Sequence, residues 1–360
     1  MRAYLDHNAT SPLRPGVKRA MLAAMDAQGN ASSIHREGRA ARKNLSEARE
    51  KLGFWLGCLP EMITFTCGGT EANNMALRGV EVERILVSAI EHPSVLAAAR
   101  ANGKPVEVIP VDGKGRVNLP AFEMMLNGPK ALVSVMLANN ETGVIQPTAE
   151  IAALAHKAGA VLHVDAVQAI GKIKVNFGLL GADMLTIAAH KIGGPTGVGA
   201  LIIRDGLVVE PLLVGGGQEL RRRAGTENLV HIAGFAALAD EPLLDTYELN
   251  DKLEAALTDT TIFSNGVERL PNTTYFAATG MNAESLLMNF DLDGVAVSSG
   301  SACSSGKVAS SHVLAAMGVD PALAKSAIRV SLGWNTTAEE IEKFISSWRK
   351  ISQRLHSKAA

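Results

Sequence analysis

The chain has 360 residues, room for two lobes that share an interface and each bury a core. Its 35 basic and 36 acidic residues give a net charge of -1 with no long single-sign block, which argues against nucleic acid or an anionic membrane surface as a partner. Three cysteines without C-x-x-C spacing, Cys58, Cys67 and Cys303, argue against a disulfide framework or a structural zinc site and fit a reducing cytoplasm.

The first residues carry Arg2 and Asp6 where a signal peptide has an apolar run, and no later stretch reaches about 18 consecutive apolar residues. A soluble, unexported protein is expected. Met62–Thr66 reads as a strand and Glu71–Val80 as a helix. From Arg84 onward short runs rich in Val, Ile and Leu alternate with helical patterns: Ile85–Ala89 then Ser94–Asn102, Ala131–Leu137 then Thr148–Ala158, then Val161–Val164. That alternation predicts βαβ units and a mostly parallel sheet covered on both faces. Met184–Ala188 and Val198–Ile203 read as a strand pair about a Gly-rich turn, and Glu241–Leu257 as a long connecting helix. Beyond it, strands at Thr273–Ala277, Val295–Ser298 and Ile328–Leu332 interleave with helices at Ala283–Phe290, Ser310–Met317 and Ala338–Leu355, a second α/β unit.

Six segments carry candidate chemistry. In T-C-G-G-T-E-A-N-N (Thr66–Asn74), backbone N–H groups at Gly69 and Thr70, with the Thr70 hydroxyl, suit a phosphate; ordinary helix capping is the alternative. His92, in E-H-P-S, stands between a strand and a helix opening on Pro93, where it is either structural or placed to stack on an aromatic cofactor and move protons near neutrality. In H-V-D-A-V-Q (His163–Gln168) an apolar strand ends in Asp165, whose carboxylate needs a protonated pyridine nitrogen or the start of a following helix. Lys191, in A-A-H-K-I-G-G-P-T-G, lies past a strand end, where open α/β sheets bind ligands. A Schiff-base role there requires a lowered pKa, from burial and a cationic neighbour such as His190 or the cofactor; otherwise Lys191 is a solvated surface residue. V-S-S-G-S-A-C-S-S-G-K (Val297–Lys307) sets Cys303 among serines and glycines, too polar for a core and suited to a mobile thiolate, whereas Cys58 and Cys67 read as packing residues. I-R-V-S-L-G (Ile328–Gly333) sets Arg329 inside an apolar strand, facing either a substrate α-carboxylate or an internal Asp or Glu. No metal site is indicated.

In this order, and with Y-L-D-H-N-A-T-S-P (Tyr4–Pro12), G-N-A-S-S-I-H (Gly29–His35), N-N-E-T-G (Asn139–Gly143) and R-A-G-T-E-N (Arg223–Asn228), these segments resemble the cysteine desulfurases of the NifS/IscS type, in the class V aminotransferase group of fold-type I pyridoxal-phosphate (PLP) enzymes. The resemblance implies an α/β fold. A large domain, 13–243, would hold a mostly parallel seven-stranded sheet, and residues 1–12 together with 244–360 would form a smaller α/β domain carrying the cysteine loop.

The resemblance further implies PLP held by Lys191, Asp165 on the pyridine nitrogen, His92 stacked on the ring, and Gln168 and Asn140 addressing the ring hydroxyl and substrate. The phosphate would rest on Gly69, Thr70 and His190, with Thr226 reaching in from the other subunit of a homodimer. Arg329, helped by Asn140, would bind the carboxylate of L-cysteine. Cys303 would take the sulfur as a persulfide, leaving alanine, and hand it to an acceptor protein such as an iron-sulfur scaffold. Departures from the family pattern are Ala188, where a serine commonly adds a phosphate hydrogen bond worth roughly 1 kcal/mol, and Gly193 and Thr196, where an aromatic and a lysine are usual. A selenocysteine lyase or a class V transaminase would share Lys191 and Asp165, and a non-catalytic scaffold would share the fold. Cys303 tells against the transaminase, and a cofactor spectrum that responds to L-cysteine would tell against the scaffold.

Overall fold

The computed structural model describes residues 2–300 and 310–359, so Cys303 lies outside the described residues. The strands are β1 (Ala3–Tyr4), β2 (Ile63–Thr66), β3 (Arg84–Ser88), β4 (Val106–Ile109), β5 (Ala131–Met136), β6 (Val161–Asp165), β7 (Met184–Ala188), β8 (Gly199–Ile203), β9 (Thr261–Ile262), β10 (Thr273–Ala277), β11 (Val295–Ala296) and β12 (Ala327–Ser331). Seven of them form one sheet in the order β2-β8-β7-β6-β5-β3-β4. β8 alone runs against its neighbours, antiparallel to β2 and β7. The α/β architecture with a mostly parallel sheet is thus the one expected, including the β7–β8 pair across the Gly-rich turn.

Side chains of a strand alternate between faces, and here both faces are apolar. Leu162 and Val164 of β6, with Ala200 and Ile202 of β8, enter one core cluster, whereas Val161, Leu201 and Ile203 enter another. The helices α1 (Pro15–Met25), α2 (Arg36–Leu56), α3 (Gly69–Gly79) and α4 (Pro93–Ala101) supply the covering layers, α2 through Leu45, Leu52 and Leu56 and α3 through Met75 and Leu77. No helix among the described residues is long and apolar enough to cross a membrane.

β9, β10 and β12 form a second, antiparallel sheet, and β1 pairs in parallel with β11, bringing the first residues beside the C-terminal third. Phe290 stacks on Phe344 at 5.2 Å in the core beneath, and Ile328 and Val330 of β12 join that core. The same alternation turns Arg329 to the opposite face. The long helix expected over Glu241–Leu257 is shorter, Tyr247–Ala255. Glu241 precedes Pro242 and is extended (φ -82°, ψ 144°), because the proline ring disfavours a helical conformation in the residue before it.

Glu219, Leu220 and Arg221 all have positive φ, 46°, 58° and 66°. Left-handed backbone costs a non-glycine residue roughly 1–2 kcal/mol. Buried Glu219 anchors this turn by accepting from the Phe65 N–H and from Arg49 Nη2, both at 2.8 Å. Glu219→Ala is therefore expected to destabilise the fold by about 3–5 kcal/mol, because it also leaves the Arg49 charge without its carboxylate. A urea midpoint unchanged from wild type would refute this.

Candidate active site

A cavity of about 580 Å³ opens at the carboxyl ends of β3, β5, β6 and β7 and is faced from the other side by Arg329 of β12. Such strand ends are the usual ligand position of open α/β sheets. Of the residues singled out from sequence, Gly69, Thr70, His92, Asn140, Asp165, Gln168, His190, Lys191 and Arg329 all line it. Thr226 is exposed and is not part of its wall.

Lys191 follows β7 in a single 3₁₀ turn, and its Nζ donates to the carbonyls of Asn8 (2.8 Å) and Ala9 (2.9 Å). Burial, followed by the charge of Arg329, lowers its pKa to about 8 against the opposing pull of Asp6 and Asp165. The cationic neighbour is therefore Arg329 and not His190. The His190 imidazole is itself pushed down to about 4, by burial and then by Lys191, and is neutral near pH 7.

Asp165 ends β6, where its Oδ2 accepts from Asn73 Nδ2 (2.8 Å) and its Oδ1 from the Val167 N–H (3.0 Å). No helix starts there; the next one, Phe177–Leu180, is capped by Asn176, so the helix-capping alternative falls away. Among the described residues no cation pairs with this buried carboxylate. His92 caps α4, its Nδ1 accepting from the Ser94 N–H at 3.1 Å, which leaves Nε2 to carry the proton of the neutral ring. Burial lowers its pKa, with Asp165 opposing.

The carboxylate partner of Arg329 is internal: Nη2 donates to Asp6 Oδ1 at 2.7 Å and Nη1 to the Asn140 carbonyl at 2.9 Å. Its Nε is buried without a partner, so the guanidinium retains a donor. Gly69 opens α3 behind Gly68, with no side-chain cap on the first-turn N–H groups. A Cβ at Gly69 would stand 2.9 Å from Val167 Cγ2, so a glycine is needed for this close approach to the strand-end turn. Ala188 lines the cavity without a hydroxyl. At Gly193 (φ 88°) a Cβ would stand 2.6 Å from Arg14 Cγ and 3.0 Å from Trp334 Nε1, so those side chains fill the space an aromatic would need.

Asn8, Asn73 and Glu141 also line the cavity and were not singled out. Asn8 and Asn73 lie inside segments quoted above, but nothing local marks an asparagine as part of a site. Cys67 proves exposed, contrary to the packing role expected, since it sits in the turn between β2 and α3. Its thiol pKa is raised by desolvation and by Glu71, which leaves it a poor nucleophile. Cys58 packs against the large core, with its thiol pushed up to about 11 by burial.

An amine of depressed pKa, a buried carboxylate lacking a cation and an uncapped helix start in one cavity fit the amine-reactive aldehyde, the pyridine nitrogen and the phosphate of PLP.

Residues 3–344 match the class-V aminotransferase family. Cysteine desulfurase IscS of Dictyoglomus turgidum is 40% identical over 375 residues, spanning 98% of this chain and 95% of its own. A solved NifS-like protein from Rickettsia africae gives a TM-score of 0.89 at 38% identity, over 98% of this chain and 100% of that one. SspA, solved in complex with cysteine, gives 0.84 at 29% identity, over 92% and 98%. A nearly full-length match in sequence, a shared fold and a cavity built for the cofactor agree, and the chain belongs to the PLP-dependent class-V aminotransferase family, among its cysteine desulfurases.

Proposed function

We infer that this chain converts L-cysteine to L-alanine and transfers the sulfur to its own Cys303. The observation that carries the reading is Lys191, an amine of lowered pKa in one cavity with Asp165 and Arg329. When bound, PLP supplies an electron sink that acidifies the substrate Cα and prepares the thiol sulfur for transfer.

In this reading Lys191 holds the cofactor through Nζ and, once released, moves the proton at the substrate Cα. Asp165 holds a proton on the pyridine nitrogen, Gln168 and Asn140 orient ring oxygen and substrate, and His92 stacks on the ring and moves protons through Nε2. Gly69, Thr70 and His190 hold the phosphate. The Cys303 thiolate forms a bond to the substrate sulfur as the bond from that sulfur to Cβ breaks. The electron pair of the broken bond stays with Cβ, which takes up a proton to become the alanine methyl, the proton of the substrate thiol making the balance; the sulfur becomes the outer atom of a persulfide, and alanine leaves. The test is the amount of alanine and sulfide released from L-cysteine by the purified, PLP-loaded protein under a reductant. Equal catalytic amounts are expected, and neither product with PLP bound would reject the assignment.

Arg329 would give up part of its contact with Asp6 to bind the substrate carboxylate. Arg329→Ala is expected to weaken saturation by L-cysteine by roughly 2–5 kcal/mol, with the cofactor absorbance retained; an unchanged KM would remove Arg329 from the site. Ala188→Ser supplies a hydroxyl to the phosphate and is expected to tighten PLP binding about fivefold, the effect of roughly 1 kcal/mol. Titrating the apoenzyme with PLP measures it, and equal or weaker affinity would show that the hydroxyl has no partner.

The finer reading is a cytoplasmic homodimer in which Thr226 completes the phosphate site of the other subunit, its exposure outside its own cavity being the supporting observation. Residues 13–243 would form the cofactor domain, with 1–12 and 244–360 a smaller domain, supported by the β1–β11 pairing. An acceptor protein such as an iron-sulfur scaffold would collect the sulfur.

A further inference from the structure

Lys172 is 3% exposed, and among the described residues no carboxylate pairs with it. Its Nζ donates to Asn8 Oδ1 at 2.6 Å and to Gln168 Oε1 at 2.7 Å. A buried cation held only by neutral amide oxygens is an expensive arrangement. Burial, and then Lys191 and Arg329, drive its pKa well down. As an ammonium Lys172 has only donors, and as a neutral amine its two N–H groups still serve both oxygens, so in either form it favours the oxygen end of each amide.

With both oxygens turned to Lys172, the two NH₂ groups point elsewhere. Gln168 Nε2 donates to the Asn8 carbonyl at 3.0 Å, and Asn8 Nδ2 donates to Thr273 Oγ1 at 2.9 Å. The Asn8 carbonyl that receives Gln168 is also the one that receives Lys191 Nζ, at 2.8 Å. Gln168 and Asn8 both line the cavity, and Lys172 does not. The lysine thus lies behind the wall and bears on the polarity of two residues in it, meeting the Gln168 oxygen and sharing Asn8 Oδ1 with Asn272 Nδ2, which donates to it at 3.1 Å.

We propose that Lys172 is a positioning residue: by binding the Gln168 and Asn8 side-chain oxygens it makes Gln168 present an N–H donor, not an acceptor, to an oxygen of the bound cofactor, and it fixes the carbonyl on which Lys191 rests. This rests on the PLP reading above. Without Lys172 the Gln168 amide keeps its orientation only through the bond from Nε2 to the Asn8 carbonyl, which Lys191 also occupies, and its oxygen loses the contact that turns it away from the ligand.

The test compares wild type, K172M, Q168L and the double variant by titrating each apoenzyme with PLP, recording affinity and the absorbance maximum of the bound form. K172M is expected to weaken PLP binding roughly tenfold, the effect of losing one hydrogen bond. Its absorbance maximum should move to that of Q168L, and K172M should add less than about threefold on the Q168L background, since one route carries both effects. K172R, which keeps donors only, should restore the wild-type maximum. If K172M does not fold, K172Q, able to offer an oxygen to either amide, takes its place in the same comparison. K172M binding like wild type, or losses that multiply fully in the double variant, would overturn the role of Lys172 while leaving the PLP reading intact. Wild type that binds no PLP would overturn both.

Discussion

Replacing Lys191 by alanine is expected to abolish the Schiff-base absorbance of the PLP-loaded protein and to lower alanine release from L-cysteine by on the order of 10⁴-fold or more. An amine attacks a carbonyl only when unprotonated. With a pKa of about 8 instead of the ordinary 10.5, the Lys191 amine is neutral roughly 300-fold more often at pH 7. Burial and Arg329 produce that shift together, so it belongs to the folded cavity. Lys172, a buried amine, is turned to Asn8 and Gln168 and does not line the cavity. The sign of the shift also sets a pH dependence. Below pH 8 the amine carries its proton, so reconstitution of apoenzyme with PLP should speed up about tenfold per pH unit and level off near pH 8. The fold should survive the substitution, because the Asn8 carbonyl keeps its bond from Gln168 Nε2. Turnover in the variant within tenfold of wild type would displace Lys191 from its role.

Six strands of the seven-stranded sheet are legible because each is a short apolar run with both faces buried, a pattern that repeats with its intervening helices; the edge strand β4, with Glu107 inside it and Val108 exposed, lacks that pattern and is not. Asp165, Lys191 and His92 were legible for a related reason: each follows a recognisable strand, and strand ends make the site. Asn73, Asn8 and Lys172 were not. Their importance comes from contacts that close only in three dimensions, such as Asn73 to Asp165 across 92 residues and Asn8 to Lys172 across 164. Arg329 shows both sides of this. Its place within an apolar strand announced a need for a carboxylate, but Asp6, 323 residues away, carried no mark of being the one. The helix over Glu241–Leu257 is shorter for a local reason: the helical periodicity continues through Pro242, but the proline holds Glu241 out of the helical conformation.

Cys303→Ala is expected to keep the PLP absorbance and its response to L-cysteine while lowering sulfide release by on the order of 10³-fold. Transfer of sulfur from cysteine requires a nucleophile that stays bonded to the sulfur after alanine departs, and a thiolate does this without an oxidant. Neither of the other cysteines qualifies: Cys58 is packed and pushed up to about 11, and Cys67 lies beside the Glu71 carboxylate, which also raises it. No described residue of the cavity wall is a cysteine, whereas Gly300 and Ser310, which flank the Cys303 segment in sequence, both belong to that wall. The variant therefore separates two functions that Lys191→Ala removes together: substrate still reaches the cofactor, but its sulfur has nowhere to go. Sulfide and alanine released at the wild-type rate by Cys303→Ala would remove the cysteine from the reaction, and loss of the absorbance response to L-cysteine would place its role in substrate binding instead.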